Sequence, residues 1–217
     1  MMPLTISVFS DVVCPWCFIG KRRLERALDE VGLRASTVLE WLPFELNPDM
    51  PEDGMPRAEY RTRKFGAERA ATLDAEMTAR GRDEGIAFAF DRIERTPSTR
   101  KAHRVIAHAT RAGRGDAAKE ALMAAYFEQA LDIGREDVLI EIATGLGLDS
   151  NEVTIALRDP ALEDEIVEQE GQAAAIGVSG VPFFIVDRRW AVSGAQPSQQ
   201  WVAALREHAG AAPAAAG

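Results

Sequence analysis

The 217-residue chain contains two cysteines, and they stand three apart in Cys14-Pro15-Trp16-Cys17. Sulfurs this close cannot staple remote loops, so a packed core has to hold the fold. The run before them, Leu4 to Phe9, is rich in β-branched and aromatic side chains and predicts a buried strand. A break at Ser10-Asp11 follows, and Pro15 then fits the first position of a helix, where its missing N–H would have had no partner. From Cys17 onward Gly20, Leu24, Leu28 and Val31 recur on one face. Arg22, Glu25, Arg26 and Asp29 occupy the other, and Gly32 supplies a stop. A second strand spans about Thr37 to Phe44. Strand, helix, strand at this spacing predicts a parallel βαβ unit.

From about Arg57 to Gly177 the chain reads as almost all helix. Ala102, Val105, Ile106 and Ala109 make one apolar stripe, and Val138, Ile142 and Leu146 another. Leu122 to Leu131 is apolar nearly all round, as in a helix inside a bundle. The acids Glu163, Asp164, Glu165, Glu168 and Glu170 read as a solvated face, with Leu162 and Ile166 turned inward. Strand character returns at Phe183 to Val186 and Trp190 to Val192, joined tightly as a hairpin, before a last helix at Pro197 to His208. The expected architecture is α/β: residues 1–50 and 178–209 form one discontinuous domain, residues 51–177 an inserted all-helical domain, and residues 210–217 a disordered tail.

A net charge of −9 argues against nucleic acid or an anionic membrane surface as partner. No run reaches the roughly eighteen apolar residues of a membrane span. Met1 to Val8 lacks the pattern of a secretory signal, so a cytoplasmic location is expected.

A C-x-x-C pair has three ordinary readings: half a zinc site, two inert core thiols, or a redox dithiol. Structural zinc needs four ligands. There is no second cysteine pair, and His103 and His108, five apart on a helix, point about 140° away from each other. No metal is expected. The placement favours redox chemistry, because unpaired N–H groups and the positive end of the macrodipole at a helix start stabilise a Cys14 thiolate. Cys17, one turn on, is the shielded partner, with α-carbons about 5 to 6 Å apart. Asp11 is either a negative charge that raises the Cys14 pKa or a loop hydrogen-bonder. Trp16 is either a substrate-contacting surface or, the more ordinary assignment, core cover. His103 reads as a surface or capping residue in preference to a functional one.

The stretch Ser10-Asp11-Val12-Val13-Cys14-Pro15-Trp16-Cys17-Phe18-Ile19-Gly20, with Gly180-Val181-Pro182-Phe183-Phe184 far downstream, resembles the thioredoxin superfamily. More narrowly it resembles the DsbA-like thioredoxin-domain family, FrnE type, which also holds 2-hydroxychromene-2-carboxylate isomerases and kappa-class glutathione transferases. Thr96 to Arg104 and Ala125-Tyr126-Phe127 look like FrnE-type signatures within the insertion. The resemblance implies a thioredoxin-like fold, Cys14 as nucleophile, Cys17 as resolving thiol and Pro182 as a cis-proline facing them. It leaves the Val181 backbone to pair with an extended substrate or glutathione, and puts Asn47 and Gln196 among the polar substrate contacts. It implies a thiol–disulfide oxidoreductase acting on a disulfide-containing protein or small thiol, with no tightly bound cofactor, glutathione as a co-substrate and a homodimer as one assembly. The alternative is a glutathione-dependent isomerase or transferase acting on an aromatic small molecule. Those relatives carry serine where this chain has Cys14.

Overall fold

In the computed structural model, which describes residues 3–209, the first apolar run forms β1 (Leu4–Ser10). The expected tail at 210–217 lies outside the described residues. The helix α1 (Pro15–Glu30) follows, and buries Phe18, Leu24, Ala27 and Leu28. It stops where expected: Gly32 takes a positive φ of 71°, and the Leu33 N–H reaches back to the Leu28 carbonyl. The second strand, β2 (Thr37–Pro43), pairs in parallel with β1 over its whole length, completing the βαβ unit.

The helical block holds α2 (Arg57–Phe65), α3 (Ala67–Asp83), α4 (Arg100–Arg111), α5 (Gly115–Phe127), α6 (Glu136–Gly145), α7 (Ser150–Arg158) and α8 (Pro160–Ala175). Three expectations shift here. A two-residue antiparallel ladder, β3 (Met55–Pro56) with β4 (Arg95–Thr96), interrupts the helices. In α6 the buried residues are Leu139 and Ala143, while Val138, Ile142 and Leu146 are half-buried. And α5 ends at Phe127, not Leu131. There the free carbonyls of Ala124 and Ala125 are met by the N–H groups of Gln129 and Leu131, and Ala130 takes a φ of 59°.

The chain then returns as β5 (Phe183–Val186), β6 (Trp190–Ser193) and α9 (Ser198–Ala209). The main sheet runs β2-β1-β5-β6, with β5 antiparallel to both of its neighbours. Side chains alternate across β1. Ile6 and Val8 face α1 within a buried cluster that also takes in Phe184, Trp201, Val105, Leu122 and Phe127, so sheet and helical block share one continuous core. Phe9 points the other way, against Ala173 and Val178 beneath α8. The carboxyl end of β1, sandwiched between these layers, delivers the loop that carries the cysteines.

Candidate active site

Cys14 caps α1 in an extended conformation (φ −94°, ψ 110°), Pro15 opens the helix, and the first turn contains no acidic residue to neutralise its positive end. The Cys17 N–H donates to the Cys14 carbonyl at 3.0 Å, tightening the turn between the two. Both cysteines are free thiols; Cys14 is 4% exposed and Cys17 1%. Opposite them the Val181–Pro182 peptide bond is cis, and the Cys14 thiol points at the Val181 carbonyl oxygen at 3.7 Å. The ring of Pro182 sits so close to α1 that a Cβ on Gly20 would lie 2.9 Å from its Cγ. Only glycine gives that clearance.

Beneath the sulfurs lies a cluster of buried charge. Asp11 is fully buried; one carboxylate oxygen accepts the Leu46 N–H at 2.9 Å, and the other faces Nε2 of His103 from α4 at 3.5 Å. Lys119 of α5, 1% exposed, donates to the Ser10 carbonyl at 3.0 Å and lies over the Trp41 ring. Burial opposes ionisation of Asp11, but His103, the Leu46 N–H and Lys119 together hold its carboxyl below the usual range. Burial pushes the Lys119 ammonium down to about 8, against the pull of Cys17 and Asp11.

The two thiols are hydrogen-bonded and titrate as a pair. Burial works against Cys17, yet the hydrogen bond from Cys14, the charge of Lys119, the Ser10 hydroxyl and the Asp11 backbone N–H leave it below the ordinary thiol value. Cys14 is held well above that value by its bond to Cys17, by burial, and by the charges of Cys17 and Asp11. These charges weigh against the anion expected on Cys14. The helix start acts on both sulfurs, whereas Lys119 lies on the Cys17 side and Asp11 repels charge on Cys14.

A family model described as a DSBA-like thioredoxin domain matches residues 5–206. The chain belongs to the DsbA-like thioredoxin-domain family. A probable DsbA oxidoreductase from Streptomyces coelicolor is 33% identical, superposes with a TM-score of 0.88, and is matched over 98% of this chain and 93% of its own. The uncharacterized protein YwbO of Bacillus subtilis is 27% identical over 85% of this chain and 88% of its own length. The cytosolic disulfide reductase DsbM of Pseudomonas aeruginosa, whose structure was solved with glutathione, shares the fold at 20% identity and a TM-score of 0.67, over 94% and 98% of the two chains.

In this DsbA-like chain the other expected residues fall unevenly. Trp16 is 38% exposed, which corrects its assignment as core cover. The helix start turns it outward because positions 17 and 18 take the inward face. Asn47 accepts hydrogen bonds from Tyr60 at 2.8 Å and Lys64 at 3.3 Å, tying the loop after β2 to α2. Gln196 donates to the Ser193 carbonyl at 2.7 Å. Both polar groups are engaged within the chain. His103 is 3% exposed, not a surface residue, because α4 packs its N-terminal turn against the Asp11 loop. Lys119 and Gly20 were not singled out for the site. For Lys119 a signal existed, since it sits at i of an i, i+3, i+4, i+7 apolar set with Leu122, Met123 and Tyr126.

Proposed function

We propose that the chain is a cytoplasmic thiol–disulfide oxidoreductase whose Cys14–Cys17 dithiol exchanges disulfides with a protein or a small thiol, glutathione included. The observation that carries this reading is the pair of free thiols one turn apart at a helix start, with a buried lysine donating to the Ser10 carbonyl behind them and the Val181 carbonyl facing Cys14. The similarity to DsbM, a cytosolic disulfide reductase whose structure was solved with glutathione, supports both the location and the co-substrate. No helix among the described residues is long and apolar enough to cross a membrane.

Cys14, deprotonated by transfer of the shared proton toward Cys17, attacks one sulfur of the substrate disulfide. A Cys14–substrate S–S bond forms, the original S–S bond breaks, and the departing thiolate takes a proton from solvent. Cys17 then gives up its proton to solvent, the Lys119 charge stabilising the thiolate that results, and attacks Cys14 Sγ. The intramolecular disulfide forms and the second substrate thiolate leaves. The substrate gains two electrons, which the dithiol loses. Run backward, the same steps oxidise a dithiol, and the compartment's thiol poise selects the direction.

Insulin reduction by dithiothreitol, with wild type and Cys14→Ser compared, tests the assignment. Wild type is expected to accelerate precipitation and the variant to match the uncatalysed rate; equal rates for the two proteins refute the reading. Glutathione-dependent isomerase chemistry predicts the reverse pattern, activity on an aromatic substrate that survives Cys14→Ser.

A further inference from the structure

Two residues past Cys14, about 3 Å of helix rise, the Trp16 ring stands in solvent at 38% exposure beside a dithiol that is almost sealed. Its exposed face is not bare. Arg80 of α3 lays its guanidinium over the indole, Cζ 5.4 Å from the ring centroid. A cation–π contact of this kind favours a guanidinium over the ring while leaving its N–H donors free to bond elsewhere.

Those donors have no carboxylate. Arg80 makes no ion pair among the described residues, although the chain carries an excess of acid. Of the acids at helical spacing from it, Glu76 pairs with Arg69 and Glu84 with Arg23 and Arg26, while the exposed Asp83, three residues on, makes no ion pair with it. Asp74, further along the same helix, is held by Arg57 and Arg61. In a molecule of net charge −9, a cation lying over the ring two residues from Cys14 makes no ion pair among the described residues. A carboxylate is the group whose geometry answers a guanidinium edge with two parallel hydrogen bonds.

We propose that Arg80, stacked on Trp16, is a specificity residue that binds a carboxylate of the disulfide substrate while Cys14 attacks, and so selects small anionic disulfides of the glutathione type over neutral or cationic ones. This rests on the oxidoreductase reading above and names the substrate feature the same site recognises. Arg80 touches substrate but takes no part in proton or electron transfer.

The test measures steady-state reduction of three small disulfides: glutathione disulfide (anionic), hydroxyethyl disulfide (neutral) and cystamine (cationic). Arg80→Gln is expected to raise KM for glutathione disulfide about tenfold, as for loss of a charge-assisted hydrogen bond. Its kcat, and both constants for hydroxyethyl disulfide, stay at wild-type values. Arg80→Lys, which keeps the charge but not the fork, gives an intermediate KM. Arg80→Glu lowers KM for cystamine below that of wild type, a gain that loosening of α3 would not produce. Raising the ionic strength weakens the wild-type preference for the anion. Equal changes for all three disulfides, or none for any, overturn the proposal while the oxidoreductase reading stands. If wild type turns over none of the three and Cys14 does not form mixed disulfides, the parent reading itself fails.

Discussion

Replacing Lys119 by methionine removes a buried cation while keeping most of its aliphatic stem. The ammonium is pushed down to about 8 from an ordinary value of 10.5. Keeping it charged at neutral pH therefore costs the folded state about 3 kcal/mol. Losing the hydrogen bond to the Ser10 carbonyl returns about 1 kcal/mol of that, so the variant should be about 2 kcal/mol more stable, a rise of roughly 4–8 °C in Tm for a chain this size. The sign depends on pH. Between about 8 and 10.5 the unfolded lysine still holds its proton and the folded one does not, so wild-type stability climbs through that window and the variant's advantage shrinks. Below it the full cost is present. The dithiol responds in the opposite sense: without the cation, Cys17 ionises less readily, and the first thiol pKa of the pair rises. Because a thiolate is stabilised only in the reduced protein, the reduction potential should fall. Denaturant unfolding across the pH range, with ultraviolet thiolate absorbance and equilibration against glutathione, measures all three. A variant less stable than wild type at neutral pH, or one whose thiolate titration overlays it, would refute the reasoning.

Cys17→Ser should accumulate a mixed disulfide on Cys14 when given a substrate disulfide, because no thiol remains to resolve it; intact-mass spectrometry reads the adduct, and its absence counts against Cys14 as nucleophile. Gly20→Ala puts a methyl 2.9 Å from the Pro182 ring and should lower both stability, by about 1–2 kcal/mol, and insulin-reduction rate. Gly171→Ala in α8, with open space around it, should instead gain about 0.5–1 kcal/mol. Lys21, almost fully buried among Glu25, Glu120 and Asp116, links α1 to α5. Lys21→Met should cost about 2–3 kcal/mol at neutral pH. Burial raises the Glu120 pKa, but Arg22 and Lys21 outweigh it and hold it low, so the deficit should fade as acid protonates the carboxylates.

The parts of this molecule that were legible in the sequence are those governed by local rules. Alternating β-branched runs gave strands, Pro15 and Gly32 bracketed α1, and C-x-x-C after a strand pointed to the chemistry. Where a different residue does the structural job, the signal vanishes. Ala130 takes the left-handed position that glycine usually marks, so the end of α5 was invisible and the apolar run read on to Leu131. The outward turn of Trp16 and the burial of His103 depend on which elements pack against them, and His103 meets Asp11 only through a contact between residues far apart in the chain. Lys119 is the instructive case. Its position on an apolar stripe was visible, but a lysine there reads as a flank that snorkels to solvent. Only the closeness of Ser10, Trp41 and the dithiol shows it to be enclosed.

That enclosure makes the helical block a contributor to the surroundings of the dithiol, because two of its helices deliver His103 and Lys119 to a loop owned by the sheet. The charges there act as a set with opposing effects. Asp11 raises the Cys14 thiol and Lys119 lowers the Cys17 thiol, while each relieves the burial of the other. Asp11→Asn alone should therefore ease ionisation of Cys14, yet destabilise the fold by leaving Lys119 with less compensation. Since the Asp11 carboxyl is held below its ordinary value, that loss is present at neutral pH and disappears as pH falls through the carboxylate range. In a Lys119→Met background the same change has no uncompensated cation to leave behind. The double variant should titrate its dithiol near the wild-type position, and its stability should exceed the sum of the two single effects by 1 kcal/mol or more, about the scale of coupling between neighbouring charges. Additivity within about 0.5 kcal/mol would mean that Asp11 and Lys119 act separately on the sulfurs, and that the cluster is not a single electrostatic unit.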